Sequence, residues 1–240
     1  MYCLLFQNFA DMTMEERKQF VARRCSEVNK WRDEDELNEV KVSVLYDKEH
    51  SIMTCNNFKV GSSSIVEVFK SLSQHITQDI KSFRFYNLSQ GLSPESINNS
   101  SAKTVMFVRE PLQRLLSAYG NGAIVQRDNN TGKKVPFVTF LEDVLKVDDH
   151  QVNHHALSYF YRCRPCDIDY DYIGTMETFD EDIKYILQQS HIDIGIVPHR
   201  NNHKPHDSDD ILKNVPIDIK VKIWERYKED YFIFGYPYPI

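Results

Sequence analysis

The chain has 240 residues, 41% of them apolar and 12% aromatic, enough to bury one sizeable core without a second domain. A net charge of −6 excludes a protein that binds nucleic acid over its whole surface, although it leaves room for a local anion site. No run approaches the roughly 18 apolar residues of a membrane span, and the opening MYCLLF is shorter than a signal-peptide core of about 7 to 15 apolar residues.

Residues 1–240 read as a single domain, with 1–14 expected to be poorly ordered. Residues 14–32 carry the pattern of a charged amphipathic helix, with Phe20, Val21 and Val28 among its apolar positions. Residues 41–46 (KVSVLY) alternate like a strand, and Ser51–Cys55 is a short apolar run suited to a buried one. Apolar residues at 65, 66, 68, 69 and 72 predict a helix, and the turn-formers of 87–101 predict a surface loop. Lys103–Val108 is the most strand-like segment, and Pro111 opens a helix, where proline is favoured.

Another loop covers 128–136, and a helix covers Phe137–Val147. Tyr172–Met176 reads as a strand, and helices follow over Asp180–Gln189 and Ile217–Lys228, with a polar stretch at 198–210 between them. Strands alternating with helices predict an α/β fold: a P-loop-like parallel sheet flanked by helices.

Two strand–turn–helix junctions carry the chemistry. In Cys55–Ser64 (CNNFKVGSSS) a buried strand runs through a loop into a helix, whose first amides and positive dipole end form an anion site. Gly61 allows close backbone approach, Ser62, Ser63 and Ser64 offer hydroxyls and a cap, and Lys59 adds a point charge. The lysine precedes the glycine, so this is not a Walker A loop; alone, it reads more readily as a serine-capped helix beside a solvated lysine. In Val105–Tyr119 (VMFVREPLQRLLSAY) the same architecture recurs, with Arg109 at the carboxyl end of the strand and Ser117 two turns into the helix. Arginine by its fork and serine by one hydroxyl suit a phosphate. Two such sites on neighbouring strands suit a ligand with two separated anionic groups.

KVGSSS followed by VREPLQRLLSAY resembles the two donor-binding motifs of the Golgi carbohydrate sulfotransferases, the family that contains the chondroitin and dermatan enzymes. Cys163-Arg164-Pro165-Cys166 with Asp169–Gly174 resembles its C-x-P-C…YDxIG block, Glu177–Asp182 its ET-x-x-ED helix start, and Tyr227–Pro239 its closing YxxDFxxFGYxYP. Five motifs in order, over about residues 15–239, make the resemblance specific. It implies 3′-phosphoadenosine 5′-phosphosulfate as donor, a carbohydrate acceptor on a glycosaminoglycan or glycoprotein glycan, no metal, no nucleic acid, and a place in the Golgi lumen or membrane. It also implies that Lys59, Val60, Gly61, Ser62, Ser63 and Ser64 hold the 5′-phosphosulfate and that Arg109 and Ser117 hold the 3′-phosphate. The family is normally anchored by an N-terminal membrane helix, and none is visible here, so the chain is expected to be truncated or made without its anchor.

There are departures from the family pattern. Ser62-Ser63-Ser64 stand where the family has Cys-Thr-Asn, Val66 and Glu67 where it tends to have a basic residue, and Gly120, Asn121 and Gly122 where it continues with arginine and lysine. These leave the donor core in place and put the acceptor in question.

Sulfuryl transfer needs a base for the acceptor hydroxyl and positive charge at the leaving phosphate oxygen. Lys59 suits the second role. His150, His154 and His155 are the candidates for the first, and counting back from Cys163 along the family pattern selects His154 or His155. A zinc site of His150, His154 and the CxxC cysteines has suitable ligand types. Cys163 and Cys166 are also open to a redox pair or a disulfide. A Golgi enzyme implies a structural disulfide, with one of the five cysteines left over. Asp169, Asp171 and Glu177 read as strand-end or capping carboxylates, one of them available to orient the site. Asn87, Asn98, Asn99 and Asn129 each begin an N-glycosylation acceptor triplet, which Asn- and Ser-rich loops also produce by chance. A P-loop kinase or NTPase, and a glycan-binding relative without turnover, are the competing functions.

Overall fold

The structure is a computed structural model that describes residues 8–28, 42–72, 92–120, 131–148, 152–193, 195, 197 and 208–238. At its centre is a four-stranded sheet, β1 (Val44–Asp47), β2 (Ile52–Cys55), β3 (Lys103–Val108) and β4 (Tyr172–Thr175), paired in that order. β1 runs antiparallel to β2, whereas β2, β3 and β4 are mutually parallel, with Thr54 opposite Val105 and Val108 opposite Thr175. The parallel strands therefore end on one edge, at Cys55, Val108 and Thr175. All of β2 is buried, as is β3 from Thr104 onward, which is why these segments read as apolar runs without alternation.

Helices flank the sheet: α1 (Met14–Val28), α2 (Ser62–Leu72), α3 (Pro94–Asn98), α4 (Pro111–Gly120), α5 (Phe137–Lys146), α6 (Tyr159–Arg162), α7 (Phe179–Gln189), α8 (Ser208–Lys213), α9 (Ile217–Arg226) and α10 (Lys228–Ile233). One core cluster surrounds the sheet and includes Met106, Phe107, Ile183 and Phe234. A second unites Leu115, Leu141, Ile223 and Tyr231 from α4, α5, α9 and α10. The mixed α/β architecture, a mostly parallel sheet between helices, is the one expected. Among the described residues no helix is long and apolar enough to cross a membrane.

Several expectations change. Order was not expected before Met14, yet a 3-10 turn at Phe9–Asp11 is tied in. Phe9 is 1% exposed and packs on Phe20 and Phe234. Buried Arg17 donates to the Phe9 and Ala10 carbonyls at 3.0 and 2.6 Å while pairing with Asp182 at 2.7 Å. The loop expected over 87–101 contains α3, because Ser93 caps it by accepting from the Ser96 amide at 3.1 Å and Pro94 fixes its first turn. α8 begins inside the stretch read as polar loop. The last helix breaks at Tyr227, whose hydroxyl donates to the Ala156 carbonyl at 2.6 Å, and α10 continues from Lys228. The parts of these readings at 1–7, 29–41, 73–91, 121–130 and 198–207 lie outside the described residues.

Two disulfides cross the molecule, Cys25–Cys166 and Cys55–Cys163. Cys163 and Cys166 thus each bond a distant partner, not each other, and neither is available as a redox pair or as a zinc thiolate. Closing a loop of 108 or 141 residues restricts the unfolded chain by about 5 kcal/mol for the first bridge in the chain-entropy picture, and by less for the second, since the two are nested.

Candidate active site

The site is built where β2 and β3 end. Beyond Cys55 the chain turns sharply: the Asn57 amide donates to the Cys55 carbonyl at 2.8 Å, and the Asn57 side chain accepts from the Phe58 amide at 2.9 Å. Lys59 and Gly61 then both take positive φ, 69° and 73°. Such a conformation is strained for lysine. Gly61 is required by more than its angle, since a Cβ there would lie 2.7 Å from Cε2 of Phe179. α2 begins at Ser62, with the Ile65 amide bonded to the Gly61 carbonyl at 3.0 Å. Ser62 and Ser63 are half-buried at its first turn. Ser64 is 4% exposed and Val60 1%, so Val60 offers a ligand only its backbone.

The second junction is held by buried polar groups. Glu110 caps α4 by accepting from the Leu112 and Gln113 amides at 3.0 and 2.6 Å, and it also accepts from the Tyr231 hydroxyl. Burial raises its carboxyl above the usual range, and these donors oppose the rise. The Tyr159 hydroxyl accepts from the Arg109 amide at 2.9 Å and donates to the Arg109 carbonyl at 3.1 Å, fixing the backbone at the end of β3. Asp230, fully buried, accepts from the Tyr159 and Phe160 amides, both at 2.9 Å. Burial pushes its carboxyl up to about 7, against the pull of Arg114 and those amides. Ser117 is half-buried two turns along α4.

Positive groups converge between the junctions. Burial lowers the Lys59 ammonium to about 8, and the nearby Arg109 charge adds to the effect. His155 is lowered to about 4, first by burial, then by His154, Lys59, Arg162 and Arg114. His154 is lowered too, by burial and then by Arg162. Both imidazoles lie against Phe58 of the anion loop, at centroid distances of 5.1 Å for His154 and 4.3 Å for His155. His155 is half-buried with its Nδ1 enclosed, and His154 is exposed. The structure therefore brings Lys59, Arg109 and His155 together, with His154 at the rim. His150 lies outside the described residues.

Sequence reasoning missed two arginines. Arg114 is 0% exposed. It donates to Asn57 Oδ1 at 3.4 Å and to the Leu157 carbonyl, and lies over the Tyr159 ring at 4.4 Å. Arg162 donates to the Asn56 carbonyl at 2.9 Å and covers Phe58 at 4.5 Å. The usable signal for Arg114 was a charge amid leucines on an otherwise apolar helix face. Asp171, by contrast, sits at the amino end of β4, accepting from the Thr104 amide at 2.9 Å and from Lys103 at 3.1 Å. That is the edge of the sheet opposite the anion loop, so it does not orient the site.

The profile of the sulfotransferase family matches residues 42–237. A carbohydrate sulfotransferase 14 of Danio rerio is 30% identical over 233 residues, 82% of this chain and 62% of that protein. A carbohydrate sulfotransferase 12 of Mus musculus is 28% identical over 167 residues, 56% of this chain and 40% of that one. A carbohydrate sulfotransferase 11 of Mus musculus is 25% identical over 249 residues, 84% of this chain and 69% of that one. The chain thus spans less than two thirds of the length of the first two. No solved structure matches it significantly. The family match runs from the bridge before β1 to the last aromatic turn, taking in both strand–turn–helix junctions and the turn that carries His154 and His155, and the chain belongs to the sulfotransferase family.

Proposed function

We propose that this protein transfers a sulfuryl group from 3′-phosphoadenosine 5′-phosphosulfate to a carbohydrate hydroxyl. The observation that carries the reading is the meeting of Lys59, Arg109 and a neutral His155 between two strand–turn–helix junctions. The Lys59–Ser64 loop receives the 5′-phosphosulfate through its backbone amides, Ser62 and Ser63, and Arg109 and Ser117 receive the 3′-phosphate. The acceptor oxygen attacks sulfur in line, the bond from sulfur to the bridging phosphate oxygen breaks, and the hydroxyl proton passes to His155. Lys59 neutralises charge growing on the leaving oxygen.

His155 is favoured over His154 because it feels Lys59 directly and is the more enclosed. Its low pKa keeps it unprotonated and able to accept a proton. The two disulfides favour an oxidising compartment, in keeping with a Golgi lumen. The acceptor class is a glycosaminoglycan or glycoprotein glycan.

The test is transfer of labelled sulfate to a panel of desulfated glycosaminoglycans and glycoprotein glycans, with calorimetry of nucleotide binding. Adenosine 3′,5′-bisphosphate should bind without metal and more tightly than ATP with Mg²⁺. Preference for ATP–Mg²⁺, or transfer to no acceptor, overturns the reading. His155→Asn should keep nucleotide binding and lose turnover, and His154→Asn should lose much less.

A further inference from the structure

We propose that Asn99, and not the adjacent Asn98, is an N-glycan acceptor of this chain; the assignment rests on the luminal placement proposed above. Asn98-Asn99-Ser100 and Asn99-Ser100-Ser101 overlap, so the sequence alone offers both asparagines.

The fold separates them. The Asn98 side chain is occupied at both ends: its Nδ2 donates to the Asp167 carbonyl at 2.8 Å and its Oδ1 accepts from the Asp169 amide at 3.0 Å. That clamp pins the turn that leaves Cys166, the residue disulfide-bonded to Cys25 on α1. A sugar on Asn98 Nδ2 replaces one of its two hydrogens and sets a pyranose ring against the 167–169 backbone. The glycan then competes with the clamp for Nδ2.

Asn99 caps the end of α3 and uses only its backbone there, its amide donating to the Glu95 carbonyl at 2.9 Å. It is exposed, as Asn98 is, so hydrogen bonding and not burial separates the two. The hydroxyl that completes its triplet, Ser101, lies on an exposed residue, whereas the hydroxyl that completes the Asn98 triplet, Ser100 Oγ, is enclosed. A glycan added at Asn99 as the chain enters the lumen leaves the hydrogen bonds of α3 and of the 167–169 turn in place; one at Asn98 competes with the clamp. The donor is a lipid-linked oligosaccharyl pyrophosphate. The bond from the sugar anomeric carbon to Asn99 Nδ2 forms, the bond from that carbon to phosphate oxygen breaks, the amide gives up one proton, and the lipid pyrophosphate leaves.

The full chain is expressed behind a cleavable secretory leader in glycosylating cells. Glycans are then released enzymatically in heavy-oxygen water, and the marked position is read by peptide mass spectrometry. The mark should fall on Asn99, vanish in Ser101→Ala, which leaves the Asn98 triplet intact, and persist in Ser100→Ala, which destroys it. A mark on Asn98, a mark on neither, or persistence in Ser101→Ala overturns the proposal. Disulfide mapping keeps the two readings apart. An unmarked Asn99 in a chain with both disulfides formed overturns the acceptor assignment alone. Free thiols in the natural chain, with Asn99 marked behind the leader, overturn the luminal placement.

Discussion

The Arg114 guanidinium reaches the side-chain oxygen of Asn57 at 3.4 Å, and that same oxygen holds the Phe58 amide at 2.9 Å. A residue of the second strand–turn–helix unit thus grips the loop of the first. Arg114 also bonds Leu157 in the histidine turn and covers Tyr159, whose hydroxyl fixes the Arg109 backbone. It is a positioning residue for three segments of the site. Arg114→Lys keeps the charge and loses the fork. It should fold, bind nucleotide and turn over roughly 10–100-fold more slowly, as small misplacements do. Arg114→Met removes a charge that lowers His155, so the acid limb of its pH profile should move up. A purely structural arginine would leave that limb in place.

The rate should be bell-shaped in pH. His155 must be neutral, so kcat/KM of the free protein is lost as pH falls through about 4. Lys59 must be charged, so it is lost again as pH rises through about 8. A bound anionic donor raises both groups, and the limbs of kcat should therefore lie at higher pH than those of kcat/KM. An acid limb of kcat/KM near the ordinary imidazole value of about 6.5 would place the base elsewhere.

Arg109→Ala and Ser117→Ala should weaken adenosine 3′,5′-bisphosphate far more than adenosine 5′-phosphate. A charge-assisted bond contributes about 1.5–3 kcal/mol, so the arginine change should cost roughly 10- to 150-fold in calorimetric Kd for the bisphosphate alone. Equal losses for both nucleotides would remove these residues from the 3′-phosphate.

Gly61→Ala should damage the loop even though alanine is small. Its φ of +73° is costly for an L-residue, and its Cβ would meet Phe179 at 2.7 Å and Met176 at 3.2 Å. A loss of about 2 kcal/mol or more is expected, with nucleotide binding reduced alongside. Phe179→Leu in the same chain should recover part of the thermal stability by relieving the contact.

The two strand–turn–helix junctions were legible because each is local: a buried strand, a glycine or proline at the turn, and an amphipathic helix lie within a dozen or so residues. α2 and α4 begin where their punctuation says, at Ser62 and Pro111. What escaped depends on distant partners. Arg114 reads as an ordinary helix charge until Asn57, Leu157 and Tyr159 surround it. The disulfide pairing joins residues 108 and 141 positions apart, which spacing does not encode. α3 hides among turn-formers because serine and proline mark loops and helix starts alike. Tyr227 breaks the final helix for the sake of a bond to Ala156.

The disulfides are nested, Cys55–Cys163 lying inside Cys25–Cys166, and this governs how the molecule comes apart. A single peptide cleavage anywhere between Cys55 and Cys163 severs the backbone yet leaves the two pieces stapled twice. Such a nicked chain should migrate as one species without reductant and as two with it. Limited proteolysis within that stretch therefore registers as lost continuity only after the thiols are freed, and a molecule nicked there keeps both pieces fastened at Cys25–Cys166 and Cys55–Cys163.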